Sequence, residues 1–395
     1  MGGIACGTAS GLTPGIHANT IAALILGFLP LLLPVFGPEG MAALLIGTLI
    51  THSFLELIPA AFLGVPAEGT SLMTLPAHAL TLEGKGEEAV RVSALGSLWG
   101  VIFSIPLALA ALWVLPVLEN PVDLFTGVLL VLIMGLVIVR NETPGWMLGI
   151  LLVSGLVGIF AFRYDYLSWN PGSFGSVLMP LLMGLFGLPV LLTSSGGAIP
   201  RQHFSGIGIS QASCIRSAIP GTIAGFVVGW LPGLSTASAN ALITGLIPYD
   251  KERRGYLVAS AASTTANAVL GIAVFIAIGR TRNGVMAVFS AFETPSVFIL
   301  ITLAAITAFC AYIVTILCAG IAPRLSGLNS SNLNTCVAVF LVLVCGIMTG
   351  PFGLVILMLS TAIGFVPGLL DISRVSCMGA VTVPVILYSF GVGVF

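Results

Sequence analysis

Charge is what this sequence lacks most: 13 Lys and Arg and 14 Asp and Glu among 395 residues, or 7%. So few ions cannot solvate the surface of a soluble domain. The net charge of -1 provides no basic field, which excludes nucleic acid as a partner. No C-x-x-C occurs, and the seven cysteines (Cys6, Cys214, Cys310, Cys318, Cys336, Cys345, Cys377) are scattered in apolar surroundings. Neither a metal site nor a disulfide framework follows from that spacing, and the cysteines read as small buried apolar residues. Also missing are a nucleophile elbow, a P-loop, an H-E-x-x-H pair and a dinucleotide fingerprint. The expectation is therefore a protein that is not an enzyme and has no ATPase of its own. The first residues, M-G-G-I-A-C-G, have no basic n-region and do not read as a signal peptide.

What fills the chain is apolar: 57% hydrophobic residues and a mean hydropathy of +1.14. Apolar stretches near the length of one bilayer crossing recur along it, which predicts an all-α polytopic protein of the cell membrane with about 10–12 membrane segments. Continuous apolar runs exclude a β-barrel, whose strands would alternate. Candidate spans lie at 40–65, 92–118, 121–139, 145–162, 172–192, 217–248, 256–278, 293–320, 333–349, 351–370 and 377–395. A polar stretch, 66–91, and another rich in Ser and Gly, 193–216, separate some of them. The 48 Gly and 23 Pro, many within apolar segments, indicate closely packed and interrupted helices.

One pattern occurs twice. Gly7 to Asn19 reads G-T-A-S-G-L-T-P-G-I-H-A-N, and Gly225 to Asn240 reads G-F-V-V-G-W-L-P-G-L-S-T-A-S-A-N. Each has G-x-x-x-G, two further residues, Pro-Gly and then a polar patch. Small residues four apart admit a second helix closely, and Pro-Gly then stops the helix. Irregular backbone within a bilayer is tolerated only where protein or a watery cavity satisfies it. The half-helix that restarts after each break presents unpaired N–H groups and the positive end of its dipole, which suit an anion. The candidate substrate-binding residues are Pro14, Gly15, His17, Asn19 and Thr20 at the first break. At the second they are Pro232, Gly233, Ser235, Thr236, Ser238 and Asn240.

Beyond the breaks, His52, Gly64 and Gly69 align with Asn267, Gly279 and Gly284. The chain thus reads as two transmembrane repeats, 1–200 and 201–395. The loop 249–256 holds Lys251, Arg253 and Arg254, whereas 37–40 has no Lys or Arg. The positive-inside rule puts the first of these loops in the cytoplasm and the second outside. Two re-entrant hairpins entering from opposite faces would make an inverted repeat. Arg163, Arg280 and Arg282 then fall outside and run against the bias. His52 and Glu56 lie four apart on an apolar segment, where ionisable groups are costly and mark ion pathways. They are the candidate coupling residues, with Asn267 as the counterpart of His52. No cofactor is expected beyond a coupling H+ or Na+, and no metal.

Three stretches carry a family resemblance: G-T-A-S-G-L-T-P-G-I-H-A-N-T, the run F-L-G-V-P-A-E-G-T-S-L-M-T-L-P-A-H-A-L-T-L-E-G-K-G-E-E-A, and G-W-L-P-G-L-S-T-A-S-A-N. Together they resemble the TctA family (DUF112), the large membrane subunit of tripartite tricarboxylate transporters. The resemblance implies a permease for di- and tricarboxylates moved with a cation. It also implies an extracytoplasmic binding protein and a small membrane subunit as partners. The short chain looks like the family's stand-alone branch, which weighs against an obligate need for accessory subunits. The run P-G-I-H-A-N-T-I-A is also similar to a motif of the DUF368 family of polyprenyl-phosphate translocases. Small carboxylates are thus the first expected substrate, and a lipid phosphate the alternative.

Overall fold

The computed structural model describes residues 1–13, 16–64, 70, 72–139, 141–169, 177–193, 200–231, 236, 239–240, 243, 247, 252–325, 330–370, 372 and 374–392. Helix is the regular structure of the described residues, and no strand occurs among them. The helices are α1 (Gly2–Leu12), α2 (Ala18–Gly27), α3 (Leu29–Leu55), α4 (Leu57–Leu63), α5 (Thr74–Leu82), α6 (Gly86–Val139) and α7 (Pro144–Arg163). After them come α8 (Leu178–Thr193), α9 (Gln211–Trp230), α10 (Arg253–Ile278), α11 (Gly284–Phe289), α12 (Val297–Ile321), α13 (Ser330–Leu369) and α14 (Gly379–Ser389). Seven helical segments among the described residues are long and apolar enough to cross a membrane, and three apolar helices are shorter. The protein is an all-α, multi-pass integral membrane protein.

The helix breaks follow backbone chemistry. Gly37 (φ 64°) interrupts α3 and Gly350 (φ 69°) interrupts α13, both in a region that residues with a Cβ avoid. The second falls between the spans expected at 333–349 and 351–370. The two spans expected at 92–118 and 121–139 instead run together as α6, with 54 helical residues. No glycine lies at the Glu119-Asn120-Pro121 junction to take a positive φ. The polar stretch 66–91 is likewise more helical than expected, since it holds α5 and the start of α6.

Close approach of backbones sets the packing. Gly3, Gly7 and Gly11 line one face of α1 and lie on α3. A Cβ on Gly7 would sit 2.6 Å from Thr51 Cβ and 2.7 Å from the Thr48 carbonyl; one on Gly11 would sit 2.8 Å from Leu55 Cβ. Gly221, Gly225 and Gly229 of α9 meet Ala259, Ser263 and Asn267 of α10 in the same way. The two glycine triplets are related by one constant sequence offset, and their partners Thr48 and His52 are related to Ser263 and Asn267 by a second, slightly shorter one. Gly96 and Gly100 of α6 press on the Val258 and Ala262 backbones along another side of α10. α10 is consequently buried from Gly255 to Val274 but for Asn267, and its Ser, Thr and Ala residues suit such crowding.

The halves also meet at a polar seam. Both carboxylate oxygens of Glu88 in α6 accept from Arg254 in α10, at 2.7 and 3.0 Å. Gly208 N–H donates to the same carboxylate at 2.7 Å. Gln202 accepts from Gly86 N–H at 2.8 Å and donates to the Thr81 carbonyl at 2.9 Å. The segment 200–210, read from sequence as a polar loop, is thus a strap across the starts of α6 and α10.

Gly7→Leu and Gly225→Leu are expected to destabilise the protein by about 1–3 kcal/mol each, the usual cost of overpacking. Gly149→Ala, where a Cβ meets nothing within 4 Å, should be neutral or mildly stabilising. Thermal unfolding in detergent checks this, and equal melting of all three variants would refute the glycine contacts.

Candidate functional site

Each glycine stripe ends at a break. α1 stops at Leu12, and Thr13 Oγ1 closes it by donating to the Ala9 carbonyl at 2.7 Å. The chain resumes as α2 with His17 as its N-cap, in extended backbone (φ -93°, ψ 158°). His17 Nδ1 accepts from Asn19 N–H at 3.2 Å, the capping role usually filled by Ser, Thr, Asp or Asn. Asn19 reaches the other half of the protein: its Oδ1 accepts from Gly284 N–H at 2.9 Å. Gly284 opens α11, whose N-cap Asn283 accepts from Met286 N–H at 3.0 Å. α2 shares an apolar cluster with α3, α10, α11 and α12.

Beside α2 lie His52, in the last turn of α3, and Glu56, the C-cap of that helix, both 5% exposed. The rings of His17 and His52 meet edge to face with centroids 4.8 Å apart. His52 Nε2 is 3.5 Å from Glu56 Oε2, and His52 Nδ1 is 3.0 Å from Ser10 Oγ. The Ser10 hydroxyl donates to the Gly7 carbonyl at 3.2 Å, which leaves its lone pairs for His52. With the Ser10 hydroxyl on the Gly7 carbonyl, His52 Nδ1 donates to Ser10 Oγ, and Nε2 then faces Glu56 with a lone pair. His17, by contrast, accepts at Nδ1 and keeps its proton on Nε2. One donor atom from each of His17, His52 and Glu56 falls within a mutual 4.8 Å. In this tautomer His17 offers the cluster a hydrogen-bond donor at Nε2.

At the second break α9 ends at Trp230, its Gly229 against Asn267, whose Oδ1 would lie 3.1 Å from an added Cβ. Asn267 is half-buried and stands against Gly229 as His52 stands against Gly11. Thr236 and Asn240 are buried, and Tyr256 Oη donates to the Asn240 carbonyl at 3.2 Å. Two cations cap the end of α9: Arg282 donates to the Val228 carbonyl at 2.9 Å, and Arg280 to that of Trp230 at 3.4 Å. A cation at a helix C-terminus complements its dipole.

The loop 279–284 therefore spans from the end of α9, just before the second break, to the start of α2, just after the first. Pro14, Gly15, Pro232, Gly233, Ser235 and Ser238 lie outside the described residues. Of Thr20 the backbone alone is described, in the first turn of α2. Sequence reading missed Ser10, which fixes the His52 tautomer, and counted Arg280 and Arg282 only as exceptions to a charge rule. The Ser10 contact has no signal in the sequence. For the arginines the signal was position: both follow the helix-ending Gly279, the counterpart of Gly64.

The sequence profile of a family described as the tripartite tricarboxylate transporter TctA family matches residues 1–379. An uncharacterized protein of Methanocaldococcus jannaschii, MJ1079, is 32% identical over 289 residues, which is 72% of this chain and 69% of the relative. No solved structure matches the chain.

His17→Ala should remove the α2 cap at about 1 kcal/mol, within the range measured for N-cap residues. Amide exchange at Asn19 to Ile21 should quicken, and His17→Asn, which can cap, should restore it. Exchange that is the same in all three proteins would show that His17 does not hold the helix start.

Proposed function

Because the chain belongs to the TctA family of tripartite tricarboxylate transporters, we propose that it moves small di- or tricarboxylate anions across the membrane together with a cation. The anion would rest on the half-helix ends that follow the two Pro-Gly breaks, in a chain built as inverted repeats over 1–200 and 201–395. His17, Asn19 and Thr20 would flank it from the first break, and Thr236 and Asn240 from the second. The observation that most supports this reading is the loop 279–284. Through Gly284 it holds Asn19 beside the α2 start, and through Arg280 and Arg282 it sets two cations at the end of α9. An anion near both breaks would thus meet a positive helix end and two guanidinium groups. His52 and Glu56 would carry the coupling cation, with Asn267 their counterpart in the second repeat.

A large membrane subunit of a tripartite system has accessory subunits as natural partners. Uptake by liposomes that contain this chain alone would assign it to the stand-alone branch. The alternative cargo, a polyprenyl phosphate, would use the same helix ends for its phosphate, as P-G-I-H-A-N-T-I-A suggests.

Citrate uptake by proteoliposomes tests the reading. Asn19→Ala and Arg282→Gln are each expected to lower uptake roughly tenfold, the equivalent of one lost hydrogen bond of about 1.4 kcal/mol. Uptake at the unchanged rate in both would sink the proposed site. Displacement of bound citrate by undecaprenyl phosphate, with no citrate uptake, would turn the reading to the lipid cargo.

A further inference from the structure

We infer that His52 and Glu56 hold one exchangeable proton between them, and that this proton is the coupling ion; the coupling role rests on the transport reading above, the proton site does not. The inference starts from Ser10. Because the Ser10 hydroxyl donates to the Gly7 carbonyl, the neutral His52 ring must donate from Nδ1 to Ser10 Oγ. Its Nε2 lone pair then faces a Glu56 oxygen 3.5 Å away, in a site where both residues are 5% exposed. Among the described residues Nε2 has no hydrogen-bond partner. Two lone pairs cannot face each other in a buried site without something positive between them.

A proton fits that gap better than the other candidates. Sodium is a hard cation that favours oxygen ligands, as calcium and magnesium do, and two of the three donors here are imidazoles. A transition metal would need a lone pair from His17 as well. The Nδ1 lone pair of His17 is taken by Asn19 N–H, and its Nε2 carries the proton. With the proton on the Glu56 carboxyl and His52 neutral, the pair is uncharged. Loss of the proton leaves a carboxylate and a net charge of -1. A buried ion pair, with the proton on His52 instead, is the costlier arrangement.

Among the described residues the surroundings add little charge. α1 carries Cys6, α12 carries Cys310, Tyr312 and Cys318, and α4 and α11 carry no ionisable group. α10 has Arg253, Arg254 and Tyr256 in its first turn; α6 has Glu87, Glu88 and Arg91 near its start and Glu119 and Asp123 farther along. Among the described residues His17 is the one other ionisable side chain in the cluster. His17 is also the N-cap of α2, the helix end proposed to take the anion. An anion there is repelled by a bare Glu56 carboxylate and is not repelled by the protonated pair. Anion and proton therefore favour each other's binding, and by linkage the coupling is mutual.

Infrared spectroscopy of the purified full-length protein at neutral pH tests the proton site without transport. The expected result is a carboxylic-acid C=O band that shifts in deuterated water and disappears in Glu56→Gln. Ser10→Ala frees the His52 tautomer, lets Nε2–H donate to Glu56, and should weaken the band. Identical bands in wild type and Glu56→Gln overturn the assignment. Should Glu56→Gln fail to fold, an unchanged band in Ser10→Ala overturns it instead. Coupling is read in sodium-free proteoliposomes at zero membrane potential: citrate accumulation should rise roughly tenfold per unit of imposed pH gradient, the ratio for one proton per anion. Uptake that requires sodium and ignores the pH gradient overturns the coupling role. If the infrared band is present but citrate does not bind, the carboxylate reading fails and the proton site stands.

Discussion

The absence of side chains at the helix seams is the constraint from which the rest of this structure follows. Three glycines on α1, three on α9 and two on α6 bring backbone against backbone along α3 and α10. In a bilayer, apolar surface gains little by leaving lipid for protein, so association depends on contact and complementarity instead. Glycine supplies the contact by removing the spacer. α10 can therefore be a helix of Ser, Thr and Ala that is buried along most of its length, a composition that would be a poor membrane segment if it faced lipid.

Those same seams place the candidate site. His52 backs onto Gly11 and Asn267 onto Gly229, so each polar side chain stands at the level where its neighbouring helix stops. A bulkier residue in either stripe would push the break away from the group beside it. Packing and the geometry of the candidate site thereby depend on the same few positions, and each glycine stripe runs to the last turn of its helix. The second half also serves the first directly, because Asn19 is held by Gly284.

Much of this could be read from the chain. Low charge and long apolar runs gave the membrane class, and the repeated G-x-x-x-G and Pro-Gly pattern marked both stripes. Gly64 and Gly279, aligned in the sequence, are both left-handed helix ends. Other features were hidden because they depend on distant residues. Nothing near Ser10 announces that it will meet His52, and nothing near Arg282 announces the Val228 carbonyl. The continuous α6 was hidden for a local reason, since a proline in an apolar run reads as a boundary although the backbone there remains helical. Segment 200–210 read as a loop because single groups, the Gln202 amide and the Gly208 N–H, bond to residues far away in the chain and leave no periodic pattern in the sequence.

The left-handed glycines at 64 and 279 acquire a mechanical meaning from the seams beside them. Helices keyed backbone to backbone leave little room to slide, so α1 with α3, and α9 with α10, would move as stiff plates. A carrier must nonetheless open to one side and then the other. Where plates are stiff, articulation belongs to the joints at their edges, and both of these edges end in a residue free to rotate in either sense.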